Sequence, residues 1–332
     1  ATSLACEGGI WQLGVTRGDG SQGTIRARSI VNAAGPWVSE VLHGAAKRDS
    51  TSRVRLVRGS HIVVPRVNQD DRGYLFQNAD GRVMFVLPYE TDFSLIGTTD
   101  IDHKGSPDAV GVEAGEIEYL CQAVSEYLQT AVSPSDVVHQ FAGLRPLYDD
   151  GSSAAQEATR DYVFELDTDS GAPLLSIFGG KITTFRRLAL EALERLEPHL
   201  AIHAGPWTHT APLPGGDFPT QGRPDLTDAL SARYAWLDTA TVARLVRQYG
   251  TRIHRVLGGA QSVADLGTDF GHGLYQVEVD YLMASEFAVS ADDILWRRSK
   301  LGLRFSQLET EELERYCAAA KATIQADVRV AS

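Results

Sequence analysis

Residues 173–197 read PLLSIFGGKITTFRRLALEALERLE, and this stretch indicates how the chain is built. The apolar run at 174–178 is typical of a buried strand, and the apolar spacing after Thr184 is typical of an amphipathic helix. Thr183 and Thr184 are candidate N-caps of that helix. A strand that leads through Gly179–Lys181 into a helix directs unpaired N–H groups, at the positive end of the helix dipole, to one place. The stretch predicts a site for an anion or an electron-rich cofactor edge, with an ordinary tight turn and a surface lysine as the alternative.

A nucleotide-binding P-loop is excluded at the same place. That motif requires a glycine, four further residues, a Gly-Lys pair and then Ser or Thr. Here Leu175 and Ile182 occupy the first and the last of those positions. Hydrolysis of a nucleoside triphosphate is therefore not expected.

The composition limits the classes of function. The 332 residues suffice for two or three domains, and 31 Lys+Arg stand against 43 Asp+Glu, a net charge of −12 at pH 7. This acidity argues against nucleic acid as a partner, and it means that an anionic substrate needs a local cluster of cations. The three scattered cysteines imply no disulfide framework and fit a reducing compartment. No apolar run approaches the roughly 20 residues of a transmembrane helix.

Gly18, Gly20 and Gly23 match the G-x-G-x-x-G pattern of dinucleotide-binding proteins. That motif must open a helix, whereas strand-like sequence lies on both sides of this loop. We therefore interpret the glycines as part of a hairpin loop, and the pattern predicts a single returning strand over residues 24–31.

Small residues follow a strand in the stretch SIVNAAGPWV at 29–38. They include Asn32, Ala33, Ala34 and Gly35. Small residues at the carboxyl end of a strand allow a cofactor to approach closely, and that end is where open α/β sheets bind ligands. Simple packing of a helix on the sheet is the alternative.

Residues 53–99 alternate between strand-like and turn-like sequence, which predicts an antiparallel sheet. Its strands are expected at 54–65, 74–77, 83–87 and 93–97. The first strand carries His61 close to cations and to Gly59, a residue that permits close backbone approach. Most lone histidines are structural, but these neighbours make His61 a candidate functional residue.

Three cations lie at the ends of predicted elements. These elements are a helix at 113–130 and strands at 137–147, 160–166 and 174–178. Arg145 lies where one strand stops, Arg160 where another begins, and Lys181 shortly after a third. An arginine donates two parallel hydrogen bonds to a phosphate, so convergence of these side chains would form an anion site. Separate, solvated positions are the alternative.

The last third of the chain shows no chemistry in its sequence. Residues 205–224 are rich in Pro and Gly and predict a linker before a helical region. The helices are expected at 225–234, 238–249, 252–257, 274–286, 290–301 and 309–326. His199 and His203 have i, i+4 spacing, but no carboxylate or cysteine supports them, so no metal site is expected.

Eight short motifs, taken in order, resemble the C-terminal part of the bacterial aerobic, FAD-dependent glycerol-3-phosphate dehydrogenases. The motifs are VNAAGPW (31–37), RGSHIVVP (58–65), IGTTD (96–100), GLRPL (143–147), TRDY (159–162), FGGKITT (178–184), DLGTDFGH (265–272) and DDILWRR (292–298). They extend over nearly the whole chain, so the resemblance is specific.

The resemblance implies a mixed α+β and α/β fold. Residues 1–52 and 169–204 would form a partial, Rossmann-like FAD-binding domain, 53–168 an antiparallel β-rich substrate domain, and 225–332 an all-α domain after the linker at 205–224. The family's glycine-rich pyrophosphate-binding motif, and one arginine that contacts substrate, are absent from this sequence. We therefore expect a fragment that binds FAD weakly or not at all and is inactive alone.

For the intact protein, the family implies oxidation of sn-glycerol 3-phosphate to dihydroxyacetone phosphate with hydride transfer to FAD. His61 matches a family active-site histidine and is the candidate base. Arg145 and Arg160 match arginines near substrate, for its phosphate or its reacting oxygen, and Lys181 matches a lysine of the substrate pocket. The catalytic candidates are thus His61, Arg145 and Lys181. The residues expected to line the flavin are Asn32, Ala33, Ala34, Gly35, Gly179, Gly180 and Thr183.

The family also implies a membrane quinone as electron acceptor. The intact enzyme would then be cytoplasmic and peripheral on the inner membrane, and a homodimer is a further option. The alternatives are a glycerophosphate oxidase that uses oxygen and a non-catalytic, truncated scaffold. An amino-acid-type oxidase of the same fold is disfavoured, because it would need a carboxylate site rather than a phosphate site.

Overall fold

A computed structural model of the chain describes residues 1–18, 20–97, 99–151, 158–201 and 205–330, with the side chains of the last helix described to residue 321. The chain forms two compact units, Ala1–His209 and Thr210–Ser332. The division between them falls within the range 205–224. The finer division into five segments stays a prediction.

In the described part of the first unit, the strands form three sheets. The strands are β1 (Ser3–Glu7), β2 (Ile10–Thr16), β3 (Gln22–Ala27), β4 (Ile30–Asn32), β5 (Val54–Pro65), β6 (Tyr74–Gln77), β7 (Val83–Tyr89), β8 (Phe93–Gly97), β9 (Ile101–Asp102), β10 (His139–Tyr148), β11 (Tyr162–Asp167) and β12 (Leu174–Gly179). The helices are α1 (Val38–Glu40), which continues as a π-helical turn over Val41–Ala45, α2 (Ala114–Ser125) and α3 (Phe185–Leu196).

Strands β1, β2 and β3 form an antiparallel meander. Thr16 pairs with Gln22 across the glycine-rich loop at 18–23. The hairpin interpretation of this loop is therefore confirmed. Asp19, within it, lies outside the described residues.

The single strand predicted over residues 24–31 is wrong. The chain bends at Arg28, so that β3 pairs with β2 whereas β4 pairs in parallel with β12. One straight strand cannot serve two sheets, and the apolar pattern of a segment does not reveal which strand will be its neighbour.

Strand β12 is the central strand of the sheet β11-β12-β4. Leu175 packs beneath α3 against Leu196, and Phe178 packs on the opposite side against Trp11. Both faces of the strand are therefore covered. Such burial is typical of strands in parallel pairs, and it explains the continuous apolar run in the sequence.

The largest sheet has the strand order β10-β5-β8-β7-β6, with β9 also paired to β5, and all its pairs are antiparallel. The strands predicted at 54–65, 74–77 and 93–97 are confirmed with the same bounds. Helix α2 covers one face, where Leu120 and Val124 pack with Ile96. Because side chains alternate along a strand, His61 projects from the opposite face.

Helices form the second unit. They are α4 (Arg223–Arg233), α5 (Thr239–Tyr249), α6 (Ile253–Leu257), α7 (Gln276–Ser285) and α8 (Gln307–Val330). Arg244 of α5 and Glu278 of α7 form a buried ion pair at 2.6 Å, and Tyr249 donates a 2.8 Å hydrogen bond to the same carboxylate. This cluster joins α5 to α7.

The helix predicted over 290–301 is present over residues 291–298, but most of it is not a regular α-helix. The segment Asp293–Arg298 is a π-helical turn, in which the N–H of Ser299 donates to the carbonyl of Ile294, five residues earlier. The Ser299 hydroxyl donates 2.7 Å to the same carbonyl. This side-chain bond competes with the regular helical pattern.

In the part of the chain that the structure describes, no helix is both long and apolar enough to cross a bilayer.

Candidate active site

His61 lies on the face of the large sheet opposite α2, between Gly97 of β8 and Phe141 of β10. Its ring stacks on Phe141, with centroids 5.1 Å apart and planes inclined by 8°. Gly97 makes room for the ring, since a Cβ atom there would overlap His61 Cδ2. Burial, and then the charge of Arg145, lower the pKa of His61. The imidazole is therefore neutral at neutral pH and can accept a proton.

Arg145, near the end of β10, extends over Gly59 of β5. A Cβ atom at Gly59 would lie 2.5 Å from both terminal nitrogens of the guanidinium. The space that this glycine provides is thus used by Arg145, not by His61. The guanidinium donates hydrogen bonds of 2.8 Å to Asp100 Oδ1 and 3.3 Å to the carbonyl of Thr99.

Arg160, which precedes β11, lies near the same carboxylate. Its Nη2 atom lies 3.9 Å from Asp100 Oδ2, and its side chain is 44% exposed. The structure therefore brings the two predicted arginines together. Asp100 was not among the predicted site residues, and its only sequence signal is its place in the IGTTD motif. Thr98 of that motif lies outside the described residues.

Asn32 ends β4 and is buried, with 3% exposed. Its Nδ2 atom donates 3.0 Å to the carbonyl of Val38, which fixes the intervening turn. Its Oδ1 atom is buried without a hydrogen-bond partner among the described residues. Ala33, next in the chain, is exposed, and Ala34 is half-buried.

Two glycine turns pack against the end of β10. Gly35 and Gly179 have φ values of +56° and +77°, in the left-handed region that favours glycine. A Cβ atom on Gly35 would lie 3.8 Å from Pro146, and one on Gly179 would lie 2.9 Å from the N atom of Tyr148. Both turns therefore lie beside the residues that follow Arg145 in β10.

Thr184, one of the two predicted candidates, occupies the N-cap position of α3, but its side chain makes no capping hydrogen bond. A 3-10 turn, Ile182–Thr184, precedes the helix, and no threonine side chain caps it. The Thr184 hydroxyl instead donates 3.1 Å back to the carbonyl of Lys181. Gly180, with φ +98°, leads into this turn, and Lys181 and Thr183 are exposed. Among the described residues the structure records no ion pair of the Lys181 ammonium group.

The residues predicted to line the flavin fit a planar, polar ligand. Gly35, Gly179 and Gly180 all have positive φ values, which give the two turns a backbone shape that other residues rarely adopt. The buried Oδ1 atom of Asn32 is an acceptor that an N–H group of a ligand would satisfy. Asn32 therefore fits a place at the edge of an isoalloxazine ring, and the flavin contacts of the other residues stay a prediction.

No group of three or more His, Cys, Asp or Glu side chains within the described ranges could hold a metal ion. His203, of the pair with His199, lies outside those ranges.

Two family descriptions match the chain. The family of FAD dependent oxidoreductases matches residues 1–186, and the C-terminal domain of alpha-glycerophosphate oxidase matches residues 206–329. The solved structure of the glycerol-3-phosphate dehydrogenase from Bacillus halodurans, complexed with FAD, has a TM-score of 0.75 at 23% identity. It covers 96% of this chain and 67% of that one. The fold is therefore the mixed α/β fold of these oxidoreductases, with a helical C-terminal domain.

Curated relatives are more similar in sequence. The glycerol-3-phosphate dehydrogenase of Pseudomonas aeruginosa is 46% identical, over 93% of this chain and 60% of that protein. The D-erythritol 1-phosphate dehydrogenase of Brucella abortus is 45% identical, over 91% and 61%. The aerobic glycerol-3-phosphate dehydrogenase of Escherichia coli is 42% identical, over 91% and 61%.

The chain thus spans about 60% of the length of these three relatives. The resemblance that the eight motifs indicated is confirmed. The chain belongs to the family of FAD-dependent oxidoreductases that includes the glycerol-3-phosphate dehydrogenases.

Proposed function

We propose that the protein, with FAD bound, oxidises sn-glycerol 3-phosphate to dihydroxyacetone phosphate. Relatives that are 46% and 42% identical carry the name of this dehydrogenase. The observation that carries the proposal is a neutral histidine beside two arginines that share one carboxylate. Such a site combines a proton acceptor with a group that binds a phosphate, as oxidation of a phosphorylated alcohol requires.

His61 is the general base in this proposal, and it takes the proton of the C2 hydroxyl. Its lowered pKa keeps the imidazole unprotonated. Stacking on Phe141 holds the plane of the ring and therefore the direction from which a proton can be accepted. A positioned base of this kind typically contributes about 10²–10⁴-fold to the rate.

Arg145 and Arg160 bind the phosphate of the substrate or polarise its reacting oxygen. The chain as a whole repels anions, with a net charge of −12, so attraction must come from such a local pair. Lys181 follows the Gly179–Gly180 turn directly and adds a third cation to the substrate site.

The residues of two turns hold the cofactor in this proposal, within a Rossmann-like part formed by 1–52 and 169–204. They are Asn32, Ala33, Ala34, Gly35, Gly179, Gly180 and Thr183. When bound there, FAD supplies the acceptor for the hydride that leaves C2 of the substrate. Residues 53–168 form the substrate part, since they carry His61, Arg145 and Arg160.

Anaerobic addition of sn-glycerol 3-phosphate to the FAD-bound protein tests this function. We expect loss of the oxidised flavin absorbance, and a much smaller loss with glycerol at the same concentration. Arg160→Ala should raise KM for glycerol 3-phosphate far more than for glycerol, because glycerol carries no phosphate. Equal effects on both would remove Arg160 from phosphate binding, and an unchanged spectrum with the phosphate ester would contradict the function.

D-Erythritol 1-phosphate is a second candidate substrate. The Brucella abortus relative named for it is 45% identical, nearly as similar as the Pseudomonas aeruginosa enzyme. The two substrates share a phosphate and a secondary alcohol, so the same base and the same arginines would serve both. Comparison of kcat/KM for the two phosphate esters decides between them.

We infer that a membrane quinone is the final electron acceptor and that the intact enzyme associates peripherally with the cytoplasmic face of the inner membrane. Oxygen is the rival acceptor, because residues 206–329 match a domain of alpha-glycerophosphate oxidase. Anaerobic turnover with a soluble quinone analogue, compared with the peroxide yield in air, separates the two.

Vesicle co-sedimentation tests membrane association, and light scattering tests the proposed homodimer. A non-catalytic scaffold would show neither turnover nor stoichiometric flavin.

A further inference from the structure

The segment 99–100, which precedes β9, contacts both arginines of the site. We propose that Asp100 in this segment is a positioning residue, which holds Arg145 and Arg160 together as a preformed phosphate-binding pair. We further propose that the buried Glu116 fixes the segment that carries Asp100. The inference rests on the proposed function in one respect, namely that the anion bound by the arginines is the phosphate of the substrate.

Asp100 contacts the two arginines through different oxygens. Its Oδ1 atom accepts a 2.8 Å hydrogen bond from Arg145, and its Oδ2 atom lies 3.9 Å from Nη2 of Arg160. The carboxylate is also partly shielded, with 19% of its side chain exposed. One carboxylate therefore bridges Arg145 of β10 and Arg160, which precedes β11.

Arg145 is held from more than one direction. Gly59 lies directly beneath its guanidinium, and the carbonyl of Thr99 accepts a 3.3 Å hydrogen bond from the nitrogen that also contacts Asp100. The segment 99–100 thus provides two acceptors for one arginine. This arrangement fixes the guanidinium before any ligand arrives.

A bridging carboxylate reduces the cost of holding two arginine side chains close together. Two guanidinium groups repel one another, and each long side chain loses rotamer freedom when it is ordered. A shared carboxylate offsets the repulsion and orders both side chains in the free protein. Less of the binding free energy of a phosphate is then spent on ordering the site.

A buried polar network holds the segment itself. Thr99 Oγ1 accepts a 3.0 Å hydrogen bond from the N–H of Ser60 and donates one of 2.8 Å to Glu116 Oε1. Ser60 Oγ also donates 2.8 Å to Glu116 Oε1, and Arg58 lies 3.1 Å from Glu116 Oε2. All four residues are less than 9% exposed, so water does not compete for these bonds.

The network lies on the α2 side of the sheet, whereas Arg145 and His61 lie on the other side. The side chain of Thr99 therefore points into the network while its carbonyl accepts from Arg145. Glu116 of α2 in this way determines where Asp100 is placed, although it does not touch Arg145 or Arg160 in the described contacts.

A different role for Asp100 leads to the opposite expectation. A carboxylate close to an anion site repels the anion, and if that effect dominated, removal of Asp100 would tighten phosphate binding. The positioning role requires that removal weaken it. The sign of the change in affinity therefore distinguishes the two roles.

Titration of the full chain with inorganic phosphate, followed by calorimetry, tests the proposal without flavin or turnover. We expect Asp100→Ala to weaken phosphate binding by about 10-fold or more. Asp100→Asn, which keeps one acceptor oxygen, should weaken it less, and Thr99→Val should shift it in the same direction. If the alanine variant does not fold, the Asn and Val variants carry the test.

Asp102→Ala is the matched control. Asp102 lies two residues further along and pairs with Arg55 at 2.6 Å, and the described ion pairs include none between Asp102 and Arg145 or Arg160. Its removal should leave phosphate affinity unchanged. Unchanged or tighter phosphate binding in a folded Asp100→Ala variant would overturn the proposal, as would the absence of phosphate binding by the unaltered chain.

Steady-state kinetics of the FAD-bound protein provide a second test of the positioning role. Asp100→Ala should raise KM for glycerol 3-phosphate and change kcat little, because His61 is untouched. A fall in kcat with unchanged KM would contradict the positioning role. If phosphate affinity follows Asp100 as expected but no phosphorylated polyol is oxidised, the proposed function fails and the positioning role stands.

Discussion

Two glycines of the large sheet determine where its two reactive side chains can lie. Gly59 lies beneath the guanidinium of Arg145, and Gly97 lies beneath the ring of His61. Neither glycine has a positive φ, so an alanine at either position would not strain the backbone. An added Cβ atom would instead displace the guanidinium of Arg145 or the ring of His61.

Gly97→Ala should therefore damage catalysis more than binding. The new Cβ atom would overlap the ring of His61, which must shift on its strand. Because a misplacement of about 1 Å in a reacting group can cost on the order of 10²-fold, we expect kcat to fall by roughly 10- to 100-fold. Steady-state kinetics with glycerol 3-phosphate would measure this, with KM changing little.

Gly59→Ala is the counterpart of that variant and displaces Arg145 instead. A Cβ atom there would lie 2.5 Å from the guanidinium, so the hydrogen bond to Asp100 must lengthen or break. We expect KM for glycerol 3-phosphate to rise several-fold with a smaller change in kcat. If the two glycine variants had the same kinetic signature, the separate roles of His61 and Arg145 would be wrong.

The pKa of His61 should depend on Arg145. Burial is the larger cause of its lowered pKa and the charge of Arg145 the second. Arg145→Gln removes the cation and should raise the pKa of His61, observed by NMR titration of the ring protons. A base must be unprotonated, so the acid limb of the kcat/KM profile lies below the ordinary histidine pKa and should move to higher pH in the variant. A pKa that stays constant would mean that burial acts alone.

At the scale of residues, His61, Arg145 and Arg160 were candidates because each lies in a motif and both arginines lie near the end or start of a strand. Their roles stay predictions. Asp100 could not be predicted as their partner. Its role depends on β8 and β10 flanking the same strand, β5, and that pairing is a property of the folded sheet. The exposed position of Lys181 agrees with the surface lysine that the sequence offered as the alternative.

The turn between β12 and α3 is the element on which cofactor binding is proposed to depend. Gly179 has a φ of +77°, and a Cβ atom there would lie 2.7 Å from the carbonyl oxygen of Asp161. Backbone atoms cannot move aside as a flexible side chain can. The turn therefore requires glycine for both its dihedral angle and its space.

Gly179→Ala should destabilise the first unit and weaken FAD binding. The left-handed conformation alone costs a non-glycine residue about 1–2 kcal/mol, and the backbone clash adds to it. Thermal unfolding and FAD titration would measure the two effects. Gly143→Ala in β10 is the control, because no atom lies within 4 Å of its added Cβ and its φ is not positive. Equal losses in both variants would contradict the role of the turn.

At the scale of elements, strands were predictable where one face is buried. Strand β5 alternates between the α2 side and the site, and its bounds were predicted correctly. The differences have two causes. The break at Arg28 depends on pairing with β12, which is distant in sequence, whereas at the start of α3 and at Asp293–Arg298 local hydrogen bonds depart from the regular helical pattern.

At the scale of the whole molecule, the chemistry identified lies in the first unit and the second unit has a separate core. That core includes Val242 and Leu245 of α5 with Val279 and Leu282 of α7. Across these helices Arg244 and Glu278 are nearly excluded from water, with 11% and 3% of their side chains exposed. A buried charge of this kind is stable only while its partner is present.

Glu278→Gln should therefore destabilise the second unit strongly. It leaves the Arg244 cation buried without its counter-charge, a change that typically costs about 3–5 kcal/mol, a large part of the stability of an ordinary domain. Hydrogen exchange should accelerate in α5 and α7, while α2, whose core shares no residue with theirs, serves as the internal reference.

Asp292→Asn is the matched control for that substitution. Asp292 pairs with Arg297 in the same unit, but both side chains are more than half exposed, and ion pairs in water contribute little. We expect no measurable change in exchange for this variant. If Glu278→Gln also left hydrogen exchange in α5 and α7 unchanged, the buried Arg244–Glu278 pair would not be needed to join these helices. The apolar core alone would then hold them together.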